Sequence, residues 1–403
     1  MWVHTLRNGQ ARVREFLPDA LVERINRPLG EATCLPNAAY TSQAFFELEQ
    51  RYLFRRTWVV AGYAHEVSEP GDMMPIDVAG IPLLLIRDEK KQIRVFQNVC
   101  RHRGARLVDA PCSRKQAVVC PYHSWTYALD GRLQRRPHFF GGDKHDVASD
   151  EQHQAGLIPV RAEVWHHWIL VNIDANAPPL TEHLKFLDDK LEGYDVAAAA
   201  HAGTLTFDID TNWKFAHENF IEPYHVFSAH PRLHDFVPMR DRHASDVEGH
   251  VMWNDYQFKS AEEGRGLGLP HFPALSTEQS MRGIWFTVFP SFGIEIYPDH
   301  IAMFHVNPVA PARSQEKIAV YLVGEAATAT QYESGRQSVL DMWRDLNAED
   351  IGLLESLQRG RQAPGYDGGV LSPYWDEAPR SFSRLVAETM RAESARADPN
   401  STE

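Results

Sequence analysis

Apolar residues recur at helical spacing near the start of the chain, where Leu17, Leu21, Val22 and Ile25 line one side and Pro28 with Gly30 ends the run. A second helix is predicted over 41–55, around Ala44, Phe45, Phe46 and Leu48. The period then shortens. Residues 57–61, 81–86 and 94–97 are brief β-branched or aromatic runs, separated by turn residues such as Glu69, Pro70 and Gly71. That is the pattern of a small antiparallel β domain. Asp130 with Gly131 predicts a hairpin turn between 127–129 and 132–133. Residues 137–155 are polar and predict a loop, 168–173 another strand, and 180–191 a helix after the Pro178-Pro179 break.

Further on, 204–210 alternates as a strand and 213–227 has helical character. Residues 232–280, rich in Gly, Pro and His, predict an irregular lid or pocket rim. Strands are predicted over 284–289, 301–306 and 316–324, then a long periodic helix over 331–358 and a last one over 375–391. Strands followed by helices predict an α+β fold, an antiparallel sheet covered by helices. The expected division is a helical arm over 1–40, a small β domain over 41–160, a second domain over 161–391, and a polar, disordered tail over 392–403.

Composition narrows the function. A chain of 403 residues suggests two or three domains, and 43% hydrophobic content allows a sizeable core. The net charge of −13 argues against nucleic acid as a general partner. Four cysteines are too few for a disulfide scaffold and fit a reducing cytosol. The N-terminus has no apolar run of signal-peptide length, and no stretch approaches the roughly 18 apolar residues of a membrane span. A cytoplasmic location is expected.

The chemistry is concentrated in Cys100-Arg101-His102 and, after seventeen residues, Cys120-Pro121-Tyr122-His123. Zinc accepts two thiolates and two imidazoles. So does a [2Fe–2S] centre of the Rieske kind, with both histidines on one iron. Each short pair is Cys then His, so each hairpin can give sulfur to one iron and nitrogen to the other. A Cys2His2 zinc finger pairs Cys with Cys and His with His. The spacing favours the cluster.

The flanking words NVCRHRGARL and CPYHSWTYALDGRL resemble those of the Rieske non-haem iron oxygenases, in particular their large (α) subunit. The resemblance runs from about residue 40 to 390. It implies that Cys100, His102, Cys120 and His123 hold a [2Fe–2S] cluster. It also implies a helix-grip-like α+β catalytic domain onto which the N-terminal arm packs. A second segment, Asn212-Trp213-Lys214, Glu218-Asn219, Tyr224-His225 and His230, is similar to the family's mononuclear iron segment. Two histidines and a carboxylate on one face of Fe(II) leave positions open for dioxygen and substrate. His225 and His230 would lie about 140° apart on an unbroken helix, so the helix must end or bend between them. Ser228 and Pro231 are compatible with that. A zincin is excluded, because no histidine stands at 221.

The residues alone leave the carboxylate open among Asp341, Asp345, Glu349, Asp350 and Glu355, and an acidic run can equally be a solvated helix face. The resemblance selects Asp350, through Asn347-Ala348-Glu349-Asp350. It also implies that Glu222 links the iron site to the cluster of a neighbouring subunit, between His225 and His123, and that Asn219 supports the site. Glutamate at 222 resembles the branch acting on choline, carnitine and betaines.

The whole then resembles a terminal oxygenase component. Electrons are expected from NAD(P)H through a separate flavin reductase, with or without a ferredoxin, and the enzyme is expected to be an α-only homotrimer. The expected substrate is a small aromatic or N-alkyl compound that dioxygen hydroxylates or dealkylates. Arene cis-dihydroxylation is the alternative; an electron carrier and a zinc hydrolase are the rival classes. Aromatic pocket candidates are Phe220, Phe227, Phe236, Trp253, Trp285, Phe289 and Phe304. Eight bases between 101 and 136, against Asp109 and Asp130, form either a docking patch for an acidic electron donor or a solvated loop region.

Overall fold

The computed structural model describes residues 9–147, 155–366 and 368–397. The chain divides into two units, Phe54–Leu180 and a larger one made of Met1–Leu53 with Thr181–Glu403.

Among the described residues, the smaller unit holds three antiparallel sheets. Val59–Tyr63, Trp168–Asn172 and Arg161–Trp165 form one; Met73–Val78, Ile81–Arg87 and Ile93–Gln97 form the second. The third is built from short strands, Val118–Val119, Thr126–Tyr127, Leu133–Arg136 and Asp146–Val147. Leu84, Ile86, Phe96, Leu107, Trp125, Tyr127 and Leu129 bury a common core, and Cys100 and Cys120 are part of it. The Asp130-Gly131 turn forms as expected, closed by the Gly131 amide on the Ala128 carbonyl.

The larger unit is organised on a seven-stranded antiparallel sheet. Its order is Ala199–Ile209, Arg313–Val323, His300–Ala310, Phe292–Ile296, Arg282–Val288, Val251–Gln257 and Asp246–Glu248. Helices Trp213–Ile221, Glu333–Gly360 and Glu377–Ala397 accompany it. Mixed helix and antiparallel sheet is the class that the hydrophobic pattern predicts. No helix among the described residues is long and apolar enough to cross a membrane.

Several elements differ from expectation. Met73–Val78, Arg161–Trp165, Val251–Gln257 and Phe292–Ile296 are strands that the hydrophobic pattern does not predict; the last two lie in the larger sheet. Val251–Gln257 alternates around polar Asn254 and Asp255, and Phe292–Ile296 carries Glu295 among buried apolar neighbours, which hides the period. Residues 232–280 are thus not irregular throughout. The last helix runs on to Ala397, because Ser394 is still buried on its packed side; residues 398–403 lie outside the described ones. Residues 41–53 belong with the larger unit rather than the β domain, and 161–180 with the smaller one. The reason for the second is pairing: Arg161–Trp165 and Trp168–Asn172 complete the sheet of Val59–Tyr63.

The reason for the first is a buried ion pair. Helix Gln43–Glu49 ends in Glu49, whose carboxylate meets Lys214 Nζ at 2.6 Å with both side chains fully buried. Trp213 Nε1 donates to the other oxygen at 3.3 Å. Burial raises the Glu49 carboxyl and lowers the Lys214 ammonium, against their mutual attraction. Removing one partner strands the other charge. Glu49→Ala is therefore expected to cost about 3–5 kcal/mol, while Glu49→Leu with Lys214→Met stays much nearer to wild type. Urea unfolding followed by tryptophan fluorescence checks this; an unmoved midpoint in Glu49→Ala would contradict it.

Candidate metal centres

In the smaller unit, the two motif loops repeat one backbone turn. The Cys100 amide donates to the Ala105 carbonyl and the Cys120 amide to Trp125, each at 2.8 Å. The Gly104 amide returns to the Cys100 carbonyl and Ser124 to Cys120, each at 3.0 Å. Closing each turn needs a left-handed residue at its fifth position. Gly104 takes φ of 76° without a side-chain clash, and Ser124 takes 55°. The two tips thus present their cysteines in matching frames, with His third in one turn and fourth in the other. The His102 and His123 rings lie 4.6 Å apart, and His102 stacks on Trp125 at 4.8 Å.

The electrostatics suit metal ligands. Burial pushes the Cys100 thiol up, while hydrogen bonds from Tyr127 and the His102 backbone pull against it. The Tyr127 hydroxyl lies 3.3 Å from Cys100 Sγ and accepts from the Arg101 amide at 3.1 Å. Burial, then the charges of His123 and Arg103, lower the His102 imidazole, which favours the neutral ligating form. His102 Nδ1 is buried without a hydrogen-bond partner among the described residues. These residues fit a bound group. Two adjacent imidazoles and two buried thiols suit a two-iron cluster with both histidines on one iron.

In the larger unit, His225, His230 and Asp350 do converge, with ligand atoms all within 4.8 Å. His225 Nε2 is 3.2 Å from His230 Nε2 and 3.6 Å from Asp350 Oδ1; His230 Nε2 is 3.1 Å from that oxygen. The backbone makes this possible by two interruptions. Helix Trp213–Ile221 stops because Pro223 holds Glu222 extended, at φ −104° and ψ 123°. A single turn, Val226–Ala229, follows, and His230 breaks it at φ −123° and ψ 77° before Pro231 opens the next helix. The helical character expected over 213–227 is therefore split in two, Trp213–Ile221 and the start of Val226–Ala229, with Glu222 extended between them. Pro231 marks one break; Ser228 lies inside the single turn and marks none.

Each imidazole is held from behind. Glu222 Oε1 takes His225 Nδ1 at 2.7 Å, and Glu349 Oε2 takes His230 Nδ1 at 2.7 Å. Such partners fix ring orientation and leave both Nε2 atoms facing Asp350. Burial pulls the His230 imidazole down, but hydrogen bonds and charge from Asp350 and Glu349 outweigh it, and the net direction is up. Asp350 Oδ1 is buried between the two Nε2 atoms. Two imidazoles and a carboxylate converging on one point fit a divalent cation such as ferrous iron. Glu349 was weighed only as a rival ligand; successive helix residues point about 100° apart, so the two carboxylates reach different nitrogens.

A cavity of about 740 Å³, its mouth included, adjoins this group. Asn219, Phe220, Trp285 and Phe304 line it, as do Tyr256, Glu295, Glu316 and Arg242, which the sequence reading missed. Trp343, Asn347 and Asp350 face it from one side of helix Glu333–Gly360 at spacings of three or four. Phe220 lies flat on Phe304 at 4.7 Å, and Gly293 leaves it room: a Cβ there would come within 2.6 Å of the Phe220 ring. Four candidates fall elsewhere. Phe227 is half exposed, Phe236 packs on Phe258, Trp253 takes the Lys190 ammonium over its ring, and Phe289 is core against Phe382.

Comparison with known proteins decides the family. Residues 57–141 match the Rieske [2Fe–2S] domain, and residues 196–392 match the catalytic domain of the ring hydroxylating α subunit. The chain is a Rieske oxygenase α subunit. Its cofactors are the Rieske [2Fe–2S] cluster and a mononuclear iron. The chain is 28% identical to the carnitine monooxygenase oxygenase subunit of Escherichia coli (strain K12), over 84% of this chain and 87% of that one. It is 26% identical to the glycine betaine monooxygenase oxygenase subunit of Pseudomonas aeruginosa, over 88% and 89%. The fold is that of the quaternary ammonium Rieske monooxygenase CntA, with a TM-score of 0.77 at 23% identity, covering 93% of this chain and 98% of CntA. Terminal oxygenases of this family work with a reductase and a small-molecule substrate.

Proposed function

We propose that this Rieske oxygenase α subunit is the oxygenase component of a monooxygenase acting on a small cationic N-alkyl compound. Electrons would come from NAD(P)H through a separate flavin reductase. The observation that carries the reading is the cavity wall. Aromatic faces from Phe220, Tyr256, Trp285, Phe304 and Trp343 suit a cation, and Glu295 and Glu316 add carboxyl oxygens that accept hydrogen bonds. The similarity to carnitine and glycine betaine monooxygenase subunits supports it; arene dihydroxylation has less support.

Cys100, His102, Cys120 and His123 would hold the cluster; His225, His230 and Asp350 would hold the iron. When bound, the cluster supplies single electrons and the ferrous ion supplies dioxygen activation. The chain's own residues orient and exclude. Glu222 and Glu349 keep both imidazoles aimed, Asn219 faces the cavity from the same side, and the stacked Phe220 and Phe304 confine the substrate. Hydroxylation of a C–H bond beside nitrogen places one oxygen atom in the product and one in water, and consumes two electrons and two protons. The C–N bond of the resulting carbinol then breaks to an amine and a carbonyl compound. Dioxygen uptake with matched aldehyde release, screened over carnitine, glycine betaine and choline against naphthalene, tests this. Uptake with naphthalene alone would contradict it.

We infer a cyclic homotrimer in which Glu222 approaches His123 of the partner subunit. Two exposed aromatic patches support this. Tyr224, Phe227 and Tyr374 surround the Glu222 side, and Tyr122, Phe139 and Phe140 lie by the cluster loops. Such unlike patches suit a head-to-tail contact that closes into a ring. The basic patch is in part internally neutralised: Arg106, Arg132 and Arg136 pair with Asp77, Asp130 and Asp146. Mixing two inactive variants, His123→Ala and His225→Ala, is expected to restore part of the activity. No recovery, with mixed oligomers confirmed by mass spectrometry, would mean that electrons stay within one chain.

A further inference from the structure

One carboxyl oxygen in the iron-side cavity lacks an answering group. Glu316, on strand Arg313–Val323, is 1% exposed, and its Oε1 has no hydrogen-bond partner among the described residues. It stands two residues before Ile318 on the same face of the strand, and both line the cavity. The Asn347 side chain acts on the carboxyl group, and Oε1 is left over.

The second cavity carboxylate differs. Glu295 lies by the Tyr256 hydroxyl at 3.5 Å, and Arg265 and Arg242 act on it. Arg242, the cavity's guanidinium, also spends donors on the carbonyls of Val237 and Leu233. Glu295 thus has answering groups, the Tyr297 hydroxyl first and then Arg265, whereas Glu316 Oε1 has none among the described residues. A buried carboxylate with a free lone pair costs free energy until a donor, and preferably a positive one, reaches it.

The chemistry of the missing group follows. A quaternary ammonium ion presents only methyl groups to Oε1, and a quaternary betaine adds further acceptors rather than a donor. A protonated secondary or tertiary amine supplies the missing donor with its N–H. We infer that Glu316 is a specificity-determining residue that accepts a hydrogen bond from the N–H of a protonated secondary or tertiary amine, and so selects such an amine over its quaternary counterpart. This rests on the cationic N-alkyl reading above and narrows it.

The test compares two ions that differ only in N–H against N–CH3. These are N,N-dimethylbenzylamine, protonated at pH 7, and benzyltrimethylammonium, titrated calorimetrically into the purified holoenzyme. Wild type is expected to bind the tertiary amine at least about tenfold more tightly, the scale of one charge-assisted hydrogen bond. Glu316→Gln and, as a second variant, Glu316→Met are expected to bring the ratio close to one. Retained binding of the quaternary ion shows that the cavity survives in a variant, a control that a merely structural role would fail. Preference of wild type for the quaternary ion overturns the inference and leaves the function standing. An unchanged ratio in both variants overturns the role of Glu316. Binding of neither ion to wild type overturns both proposals.

Discussion

Asp350→Ala is expected to remove the mononuclear iron while the Rieske visible spectrum stays intact. The three ligand atoms come from a short broken segment and from one long helix, and Asp350 is the only one of them from the helix. Losing it leaves two imidazoles for a hard cation that prefers oxygen. Loss of an outer partner already costs about 10–100-fold in metal affinity. Loss of a ligand should exceed that, and turnover should fall by more than about a hundredfold. Glu349→Ala, which removes only the hydrogen bond behind His230, should sit within that outer-partner range. Iron analysis with dioxygen uptake checks both. Full iron and full activity in Asp350→Ala would move the ligand to Glu349, which already reaches His230.

His102→Ala is expected to have the larger spectroscopic effect. Its Nδ1 is buried and, among the described residues, without a hydrogen-bond partner, as suits an atom kept for a metal. The electron-paramagnetic signal of the reduced Rieske centre should vanish, and turnover with it. The larger unit should still bind ferrous iron, because none of the proposed ligands is shared. A wild-type signal from His102→Ala would remove this residue from the ligand set.

Much of this was legible in the chain because the chemistry lies in short segments. Cys100 to His102 and Cys120 to His123 are local, and the turn that frames them needs only a left-handed residue after each pair. His225 and His230 are legible as candidate ligands, and the structure brings them together, but the path between them is not legible. Pro223 was the available signal, since it forces Glu222 out of the helix. Glu349 behind His230 joins residues 119 apart, and no periodicity reports such a contact. The cavity carboxylates left a weaker trace. Glu316 shares a strand face with Ile318, and Glu295 sits between Ile294 and Ile296, so each is an acid inside a buried run. Phe227 and Phe289 show the opposite failure. An aromatic residue near a site in sequence can face solvent or fill the core, and hydrophobic pattern does not distinguish these from a cavity wall.

The account's central claim is that this one chain carries both an electron reservoir and the separate site of oxygen chemistry. A single turnover without reductase tests it most directly. The holoenzyme is reduced, freed of excess reductant, and given dioxygen with a substrate active in the amine screen. Wild type should form product as the absorption of the oxidised cluster returns. Asp350→Ala should reduce normally and form none. Product from Asp350→Ala at wild-type yield would contradict the account.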